Sequence, residues 1–427
     1  MKINKRKSEI TMEMFMSIIR EPSIIIAIVT LLGLIFQRKK VSEIITGTTL
    51  SFMGFTMIKV GGGILGGVLT NFSQIFSYAF KLKGVVPSNE AIMALTIDQI
   101  GADAALILLF SMILNIVLAR LTKFKCIYLS LHLILFMSFA ATAVMKGLGL
   151  SSLTTIIVGS LVIGSYMAVF PYLLRNASKN IIKSDEYTIA HASMTSYILG
   201  TYLGKVFGNR ENDTENVKIN DRISFLRDPN VATTLTMLVL LLVSGLVAGS
   251  DYVSKLSDGK EYIVFILEQS AIFAAGLYIA KAGVKLFTTE IVPAFKGFSQ
   301  VFAPGAIPGV DVLVLFDKSP NSALVGFLVS FFTGVACVFL FPLVGLPVIV
   351  PGIMACFLAG GAAAIFGNSS GGFRGAVISS CLNGFLLCLL PALTLPLFSF
   401  LGAEGVTFAD PDFTTLSGVL WLIFRWF

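Results

Sequence analysis

The chain has 427 residues, of which 56% are hydrophobic and only 13% charged, and its formal net charge is +7. Soluble domains carry about 25% charged residues, so this composition excludes a soluble protein and indicates an integral membrane protein. The basic residues flank apolar runs, as at RKK (38–40) and ARLTKFK (119–125). That is the positive-inside pattern of membrane proteins, and we expect no nucleic-acid partner.

Several apolar runs are long enough to form membrane helices. A helix needs about 20 residues to cross the hydrocarbon core, and a run such as VATTLTMLVLLLVSGLVAG (231–249) has that length. No strict alternation of apolar and polar residues is present, so the spans are helical. We predict an all-α integral membrane protein with ten or eleven transmembrane helices, some of them re-entrant or broken. The predicted spans are 22–37, 48–70, 100–119, 126–146, 150–174, 231–250, 261–287, 322–347, 349–366 and 375–402, with a short eleventh at 415–426.

The first apolar run is predicted to be a retained span. It ends at the RKK triplet and not at a small-residue cleavage site, so it is not a signal peptide. Residues 1–21 before it are basic and then amphipathic, and we expect them in the cytoplasm or at the membrane interface. Residues 204–230 are highly charged with little apolar periodicity, which predicts a cytoplasmic loop at the midpoint of the chain.

The two halves of the chain carry similar segments in the same order. IKVGGGIL (58–65) matches AKAGVKLF (280–287), FSQIF (72–76) matches FSQVF (298–302) and VPSNEAIMAL (86–95) matches IPGVDVLVLF (307–316), at offsets of 222, 226 and 221 residues. We infer an internal repeat, with a first membrane repeat at 22–203 and a second at 231–427 that together form one transport domain. Repeated halves are typical of secondary transporters, in which the substrate site lies between the halves near the bilayer midplane.

Four ionisable residues are candidates for that site. Glu90 and Asp311 occupy matching positions in the two repeats. We interpret each as part of a hairpin or broken helix that meets its counterpart; the alternative is an interfacial connector with its carboxylate in water. His132 and His191 lie in apolar segments, where an unpartnered imidazole is costly. They either face a cavity or are packing residues bonded to a neighbouring carbonyl.

Other polar and reactive residues give weaker signals. Lys59 and Lys281, which match in the repeat, either join the site or extend to the membrane interface. Arg374, in the break GNSSGGFRGA (367–376), belongs to a segment that either wraps an anion or caps helices. The five cysteines lie in or beside apolar runs without metal-ligand spacing, so we expect buried thiols, no metal site and no cofactor.

The order of these segments is similar to that of a known family. The motifs GFTMIKVGGGIL (54–65), NEAIMALTID (89–98), LHLILF (131–136), IAH (189–191) and GNSSGGFRGA resemble the membrane component (enzyme IIC) of the L-ascorbate-specific phosphotransferase system. The similarity runs from about residue 22 to about residue 390, and its most specific stretch is FAPGAIPGVDVLVLFDKSPNSALVGF (302–327).

The resemblance implies a multi-pass protein of the bacterial inner membrane that acts as a homodimer. Each protomer would have a dimerising scaffold and a mobile core that carries the sugar acid by an elevator-like movement. A separate cytosolic IIB protein, itself supplied by a IIA component, would donate a phosphoryl group from a cysteine to the substrate. The substrate contacts implied for this chain are Asn89, Glu90, His132 to Phe136, His191, Ala192 and Asp311.

The chain departs from the family pattern at four of these polar positions and at Lys59. Ascorbate carriers resembling it have Thr-Tyr at Asn89-Glu90 and Gln-Gln at Phe136-Met137. They also have Gln at Ala192 and Gln at Lys59. Sites built for hydroxyl groups discriminate strongly through such side chains. A neutral polyol or a pentose-like sugar is therefore an alternative substrate to ascorbate.

The expected function is a sugar permease whose transport is coupled to phosphorylation. A substrate hydroxyl would attack the phosphoryl group on IIB, and its proton needs a base within reach. Asp311 is our first candidate for that base and His191 the second. Two alternatives stay open, namely an ion-coupled secondary transporter of a small polar solute and a membrane sensor that keeps the site only for recognition.

Overall fold

A computed structural model describes residues 22–81, 84–217, 229–316, 318–403 and 405–426. The first half contains α1 (Pro22–Phe36), α2 (Val41–Phe80), β1 (Gly84–Pro87), α3 (Asn89–Leu121), β2 (Cys126–Tyr128), α4 (Leu131–Gly147), α5 (Ser152–Ile182), β3 (Thr188–Ile189) and α6 (Met194–Phe207). The second half contains α7 (Pro229–Ala248), α8 (Ser250–Leu256), α9 (Tyr262–Phe302), β4 (Ile307–Val310), α10 (Leu313–Phe316), α11 (Pro320–Leu340), β5 (Val348–Ile349), α12 (Ile353–Ala355), α13 (Gly361–Thr394), β6 (Val406–Thr407) and α14 (Pro411–Phe424).

The predicted all-α membrane class is confirmed, whereas the number of spans in the described part of the chain is smaller than the predicted ten or eleven and the re-entrant helices stay a prediction. Among the described residues, six helices are long and apolar enough to cross a membrane, or seven if the bent pair α7–α8 is one span. The predicted span 126–146 differs, because it is the three-residue strand β2 followed by the 17-residue helix α4. The predicted spans 349–366 and 375–402 form one helical stretch, which leaves helical geometry at Gly371 and Gly372. Hydropathy detects the length of an apolar run, but it does not distinguish a short strand at the start of that run from a helix.

Two small parallel sheets join the halves of the chain. β1 lies between β5 and β6, and β4 lies between β2 and β3. Each central strand therefore comes from one half and its two neighbours come from the other. Val86 pairs with Val406 in the first sheet, and Ile127 pairs with Pro308 in the second. The internal repeat stays a prediction, and this exchange of strands is the arrangement that it would produce.

The longest helices form the frame around the sheets. α2 packs along α9, while α13 packs between α6 and α11. The α6–α13 contact is made by small residues at four-residue spacing, namely Gly200, Gly204 and Gly208 on α6 and Gly367, Gly371, Gly375 and Ser379 on α13. Such residues let two helix backbones approach closely, which is a common basis of helix association in membranes.

The described part of the predicted polar loop is held against the protein. Asn209 N–H donates to Gly371 O at 2.8 Å, and Phe373 N–H donates to Asn212 O at 2.6 Å. These bonds cap the break in α13, where Gly372 has a φ of 60°. The loop thus satisfies backbone groups at the break, and the two interpretations of the Arg374 segment stay predictions. Residues 1–21 and 218–228, which are predicted to be cytoplasmic or interfacial, lie outside the described residues.

The same loop also caps α11. The Glu215 carboxylate accepts hydrogen bonds from Asn321 N–H at 3.1 Å and from Ser322 N–H at 2.8 Å. Asn368 on α13 accepts from Thr214 N–H at 3.0 Å and donates to Asp213 at 2.8 Å. The segment after α6 therefore links α6 to the start of α11 and to α13.

Gly204→Ala is expected to destabilise the protein by about 1–3 kcal/mol, the usual cost of overpacking. A Cβ at this position would overlap Ser370 Oγ and lie 2.9 Å from Gly367 O. Gly67→Ala on α2 is the control, because a Cβ there has nothing within 4 Å and removing a helical glycine stabilises by about 0.5–1 kcal/mol. Thermal denaturation of the purified, detergent-solubilised protein measures both; equal midpoints would contradict the close α6–α13 contact.

Candidate functional site

The carboxyl ends of the strands bring six helix starts together. Each strand is followed by a helix after one to four residues: β1 by α3, β2 by α4, β3 by α6, β4 by α10, β5 by α12 and β6 by α14. Strands within each sheet are parallel, so their carboxyl ends lie at the same edge. Ligands of parallel sheets commonly bind outside that edge, where helix N-termini present unpaired N–H groups.

One cavity lies at these ends and is lined from both sheets. Val86 to Glu90 lie at the end of β1 and directly after it. Val350 to Ala355 follow β5, Ala409 and Asp410 follow β6, and His132 and His191 follow β2 and β3. The opposite wall is apolar and comes from α2, α7 and α9, through Phe72, Met237, Leu240, Phe273 and Leu277. The cavity measures about 90 Å³, which is below the roughly 300–1,000 Å³ of ligand pockets. The surrounding helices must therefore separate to admit a sugar.

Five of the predicted site residues line this cavity, namely Asn89, Glu90, His132, Phe136 and His191. Asp311 lies directly behind one of them, with its Oδ2 at 3.2 Å from His132 Nε2. The other Asp311 oxygen is buried and has no hydrogen-bond partner among the described residues. Their role as substrate contacts stays a prediction, but the structure brings these six residues together.

Two residues from the predicted set lie elsewhere. Ala192 does not line the cavity; it is fully buried, and its carbonyl accepts from Asp412 N–H at 3.0 Å. Lys59 does not line the cavity either. Its Nζ lies 2.5 Å from Asp98 Oδ1, in a partly exposed ion pair between α2 and α3.

Asp410 is a site residue that sequence reasoning missed. Asn89 Nδ2 donates to Asp410 Oδ2 at 2.6 Å, and Ser193 Oγ donates to Asp410 Oδ1 at 3.1 Å. Asn89 Oδ1 in turn accepts from Ala409 N–H at 2.8 Å. Asp410 is almost fully buried and lines the cavity. It fixes Asn89, which begins α3, against the start of α14.

Asp412 caps a helix from the other half of the chain. Its carboxylate accepts from Met194 N–H at 2.8 Å and from Thr195 N–H at 3.3 Å, both in the first turn of α6. Tyr166 OH lies 2.6 Å from the same carboxylate and 2.9 Å from His191 O. A negative charge at a helix N-terminus is favourable, because it satisfies free N–H groups and the helix dipole. Asp412 thereby holds the segment that carries His191.

The His191 ring is oriented by a neighbour on α6. Its Nδ1 lies 2.9 Å from Tyr197 OH, and the Tyr197 ring stacks on Phe366. Because Nδ1 is occupied, Nε2 is the ring nitrogen available to a ligand. The hydrogen bond at Nδ1 also decides whether Nε2 carries a proton.

A fourth repeat match in the sequence could have revealed Asp410 and Asp412. TIAHASMT (188–195) matches TFADPDFT (407–414) at an offset of 219 residues, which places His191 over Asp410 and Ser193 over Asp412. The acids stand beside Pro411, so the segment has the appearance of an exposed turn. The structure shows that both carboxylates are buried.

The described lining of the site is rich in acceptors and has no lysine or arginine. Glu90 and Asp410 line the cavity, Asp311 lies behind it, and no lysine or arginine lines it among the described residues. Ionised carboxylates only accept hydrogen bonds, which suits a ligand with many hydroxyl donors. Within the described ranges, no group of three or more His, Cys, Asp or Glu residues could hold a metal ion.

Comparison with known proteins agrees with this chemistry. The profile of the EIIC-GAT family, described as the sugar-specific permease component of the PTS system, matches residues 17–412. A curated relative, the ascorbate-specific PTS system EIIC component of Mycoplasma pneumoniae, is 21% identical over 445 residues. The match covers 88% of this chain and 65% of that relative, so the chain spans less than two thirds of its length.

Asp412→Ala is expected to lower stability by about 0.5–2 kcal/mol, the usual cost of losing an N-cap. The change removes the acceptor of two α6 N–H groups and of Tyr166 OH. Asp185→Ala is the control, because that acid pairs with Arg175 at a partly exposed position, where an ion pair contributes about 0–1 kcal/mol. Thermal denaturation compares the two; an Asp412→Ala protein as stable as the control would show that the cap is dispensable.

Proposed function

Because the chain belongs to the EIIC-GAT family of sugar-specific phosphotransferase permeases, we propose that it carries a neutral sugar or polyol into the cell while a separate IIB protein phosphorylates it. The single observation that supports a neutral substrate is the acidic cavity. Glu90 and Asp410 line it and Asp311 lies behind it, and none of its described lining residues is a lysine or an arginine.

L-ascorbate is the competing substrate, as the name of the Mycoplasma pneumoniae relative suggests. It is an anion at neutral pH, so each ionised carboxylate beside it lowers its affinity. Two like charges a few ångströms apart repel by about 1–4 kcal/mol in surroundings of water-like to intermediate dielectric. Phe136 also lines the cavity where the resembling ascorbate carriers have an amide, which removes a group that could hold the anion.

Substrate binding requires the two walls of the cavity to move apart. One wall consists of the strand ends and the helix starts that follow them, and the other is the apolar face of α2, α7 and α9. We take the second wall as the scaffold and the first as the mobile core that the resemblance implies. The homodimer implied by the same resemblance stays a prediction.

Phosphoryl transfer then takes place at the cytoplasmic side. A substrate hydroxyl attacks the phosphorus of the phosphocysteine on IIB, the O–P bond forms, and the S–P bond breaks to release the cysteine thiolate. The hydroxyl proton passes to a base of the permease. Asp311 is our first hypothesis for this base and His191 the second.

The geometry suggests how Asp311 would take part. It holds the His132 ring at 3.2 Å, and the ring stands between Asp311 and the cavity. A carboxylate in this place favours the imidazolium that forms when His132 accepts a proton. The Asp311–His132 pair would thus act as one base, in which His132 takes the proton and Asp311 stabilises the imidazolium that forms.

The acidic cavity predicts a change of specificity when one charge is removed. Glu90→Gln is expected to lower the Kd for L-ascorbate by at least about tenfold, since it removes a like charge, and to change the Kd of hexitols less. Calorimetric titration of the purified protein at pH 7 measures both ligands. Glu186→Gln, at an exposed position, is the control. Ascorbate that binds the native protein as tightly as any hexitol would contradict a neutral substrate.

The base role predicts a selective loss of rate in Asp311→Asn. We expect kcat for phosphorylation to fall by about 10²-fold or more, the usual contribution of a general base, with little change in KM. The assay uses membrane vesicles with saturating phosphorylated IIB, and Asp185→Asn serves as the control. Phosphorylation at the normal rate would exclude Asp311 as the base and leave His191 as the candidate.

A further inference from the structure

A second and larger cavity lies at the opposite ends of β1 and β6. It measures about 960 Å³, which is within the range of ligand pockets. Gly84, Val85 and Val406 line it, and these residues are at the beginnings of the two strands. We name this cavity the tyrosine cleft and define it by six of its polar lining residues, Ser73, Gln74, Ser77, Tyr78, Lys81 and Tyr252; Ser399 also lines it.

Only a thin wall separates the tyrosine cleft from the site cavity. Val85 lines the cleft and Val86 lines the site cavity, in keeping with the opposite directions of successive side chains in a strand. On α2, Phe72 lines the site cavity and Ser73 lines the cleft. One layer of side chains from α2 and β1 therefore divides the two spaces.

The cleft presents a polar helix face. Ser73, Ser77 and Lys81 follow one another at four-residue spacing on α2 and at its C-terminal cap, and Gln74 and Tyr78 form the adjacent row. Residues at this spacing lie on the same face of a helix. A polar face on a helix of this length is unsuited to lipid and is suited to water or to a polar solute.

Two aromatic rings add a flat surface to this face. Tyr78 and Tyr252 stack with ring centroids 3.8 Å apart and an angle of 7° between the rings. Lys81 Nζ lies 4.2 Å from the centre of the Tyr78 ring. Tyrosine combines an apolar ring with a hydroxyl, and so contacts both the C–H groups and the hydroxyl groups of a polyol.

We propose that the tyrosine cleft is a second, weaker subsite for the transported sugar or polyol, occupied on the way to the site cavity. Ser73, Gln74 and Ser77 would bond its hydroxyl groups, and Tyr78 and Tyr252 would contact its carbon chain. The inference rests on the proposed function, because it assigns the cleft the same neutral substrate. The tyrosine cleft would be a binding position formed by residues other than those that line the site cavity.

The test is protection of a single cysteine in the cleft. Cys381 is the exposed one of the five cysteines, so Cys381→Ser provides the background for Ser77→Cys. The purified protein is labelled with a polar maleimide in the presence of mannitol or galactitol. A hexitol at about ten times its Kd for the cleft should slow labelling about tenfold, because labelling reports the unoccupied fraction. Ser42→Cys, exposed at the other end of α2, should label at an unchanged rate.

A second variant separates binding in the cleft from a conformational response. Asn89→Ala weakens the site cavity, where Asn89 bonds Asp410. Protection of Ser77→Cys should persist in this protein. Loss of protection in Asn89→Ala, or none at all by a hexitol that the native protein phosphorylates, would overturn the proposal. Native protein that transports hexitols without phosphorylating them would refute the proposed function instead, whatever the labelling shows.

Discussion

Peptide groups inside a membrane protein must find hydrogen-bond partners within the chain, because lipid supplies none. Helices meet this requirement alone, but the short strands β1 and β4 do not. β1 obtains its partners from β5 and β6, and β4 from β2 and β3, so each half completes the backbone bonding of the other. The exchange also brings distant residues together at the strand ends, as with Asn89 and Asp410, which are 321 positions apart.

Hydrogen-bond donors at these strand ends stabilise two of the buried acids. Asp412 accepts from N–H groups in the first turn of α6, and Asp410 accepts from the side chains of Asn89 and Ser193. N–H groups and the helix dipole stabilise a carboxylate that has no lysine or arginine beside it. The described lining of the cavity therefore combines acceptors with no lysine or arginine. Such a cavity suits hydroxyl groups better than an anion.

Sequence reasoning reached the all-α membrane class and most of the residues that the structure brings together at the cavity, and the physical reasons for its failures differ from residue to residue. Repeat matching identified Glu90 and Asp311, and the rarity of intramembrane histidine identified His132 and His191. Strands of two to four residues carry no detectable periodicity, so the contact of His132 with Asp311 could not be foreseen. Asp410 and Asp412 were missed because acids beside a proline resemble an exposed turn. Ala192 was placed in the site through the resemblance, yet only its backbone takes part in the surrounding network.

The central claim is that substrate enters and is phosphorylated in one coupled process. The direct measurement uses right-side-out membrane vesicles that contain this protein and are loaded with the general phosphotransferase enzymes, phosphoenolpyruvate and cognate IIA and IIB proteins. Labelled hexitols, pentoses and L-ascorbate are offered in turn, and the chemical form of the transported label is determined. A phosphorylated neutral sugar or polyol, formed only when IIB is present, is the predicted result. Transport of an unmodified solute driven by an ion gradient would contradict the claim and identify an ion-coupled carrier, and binding without transport would identify a sensor.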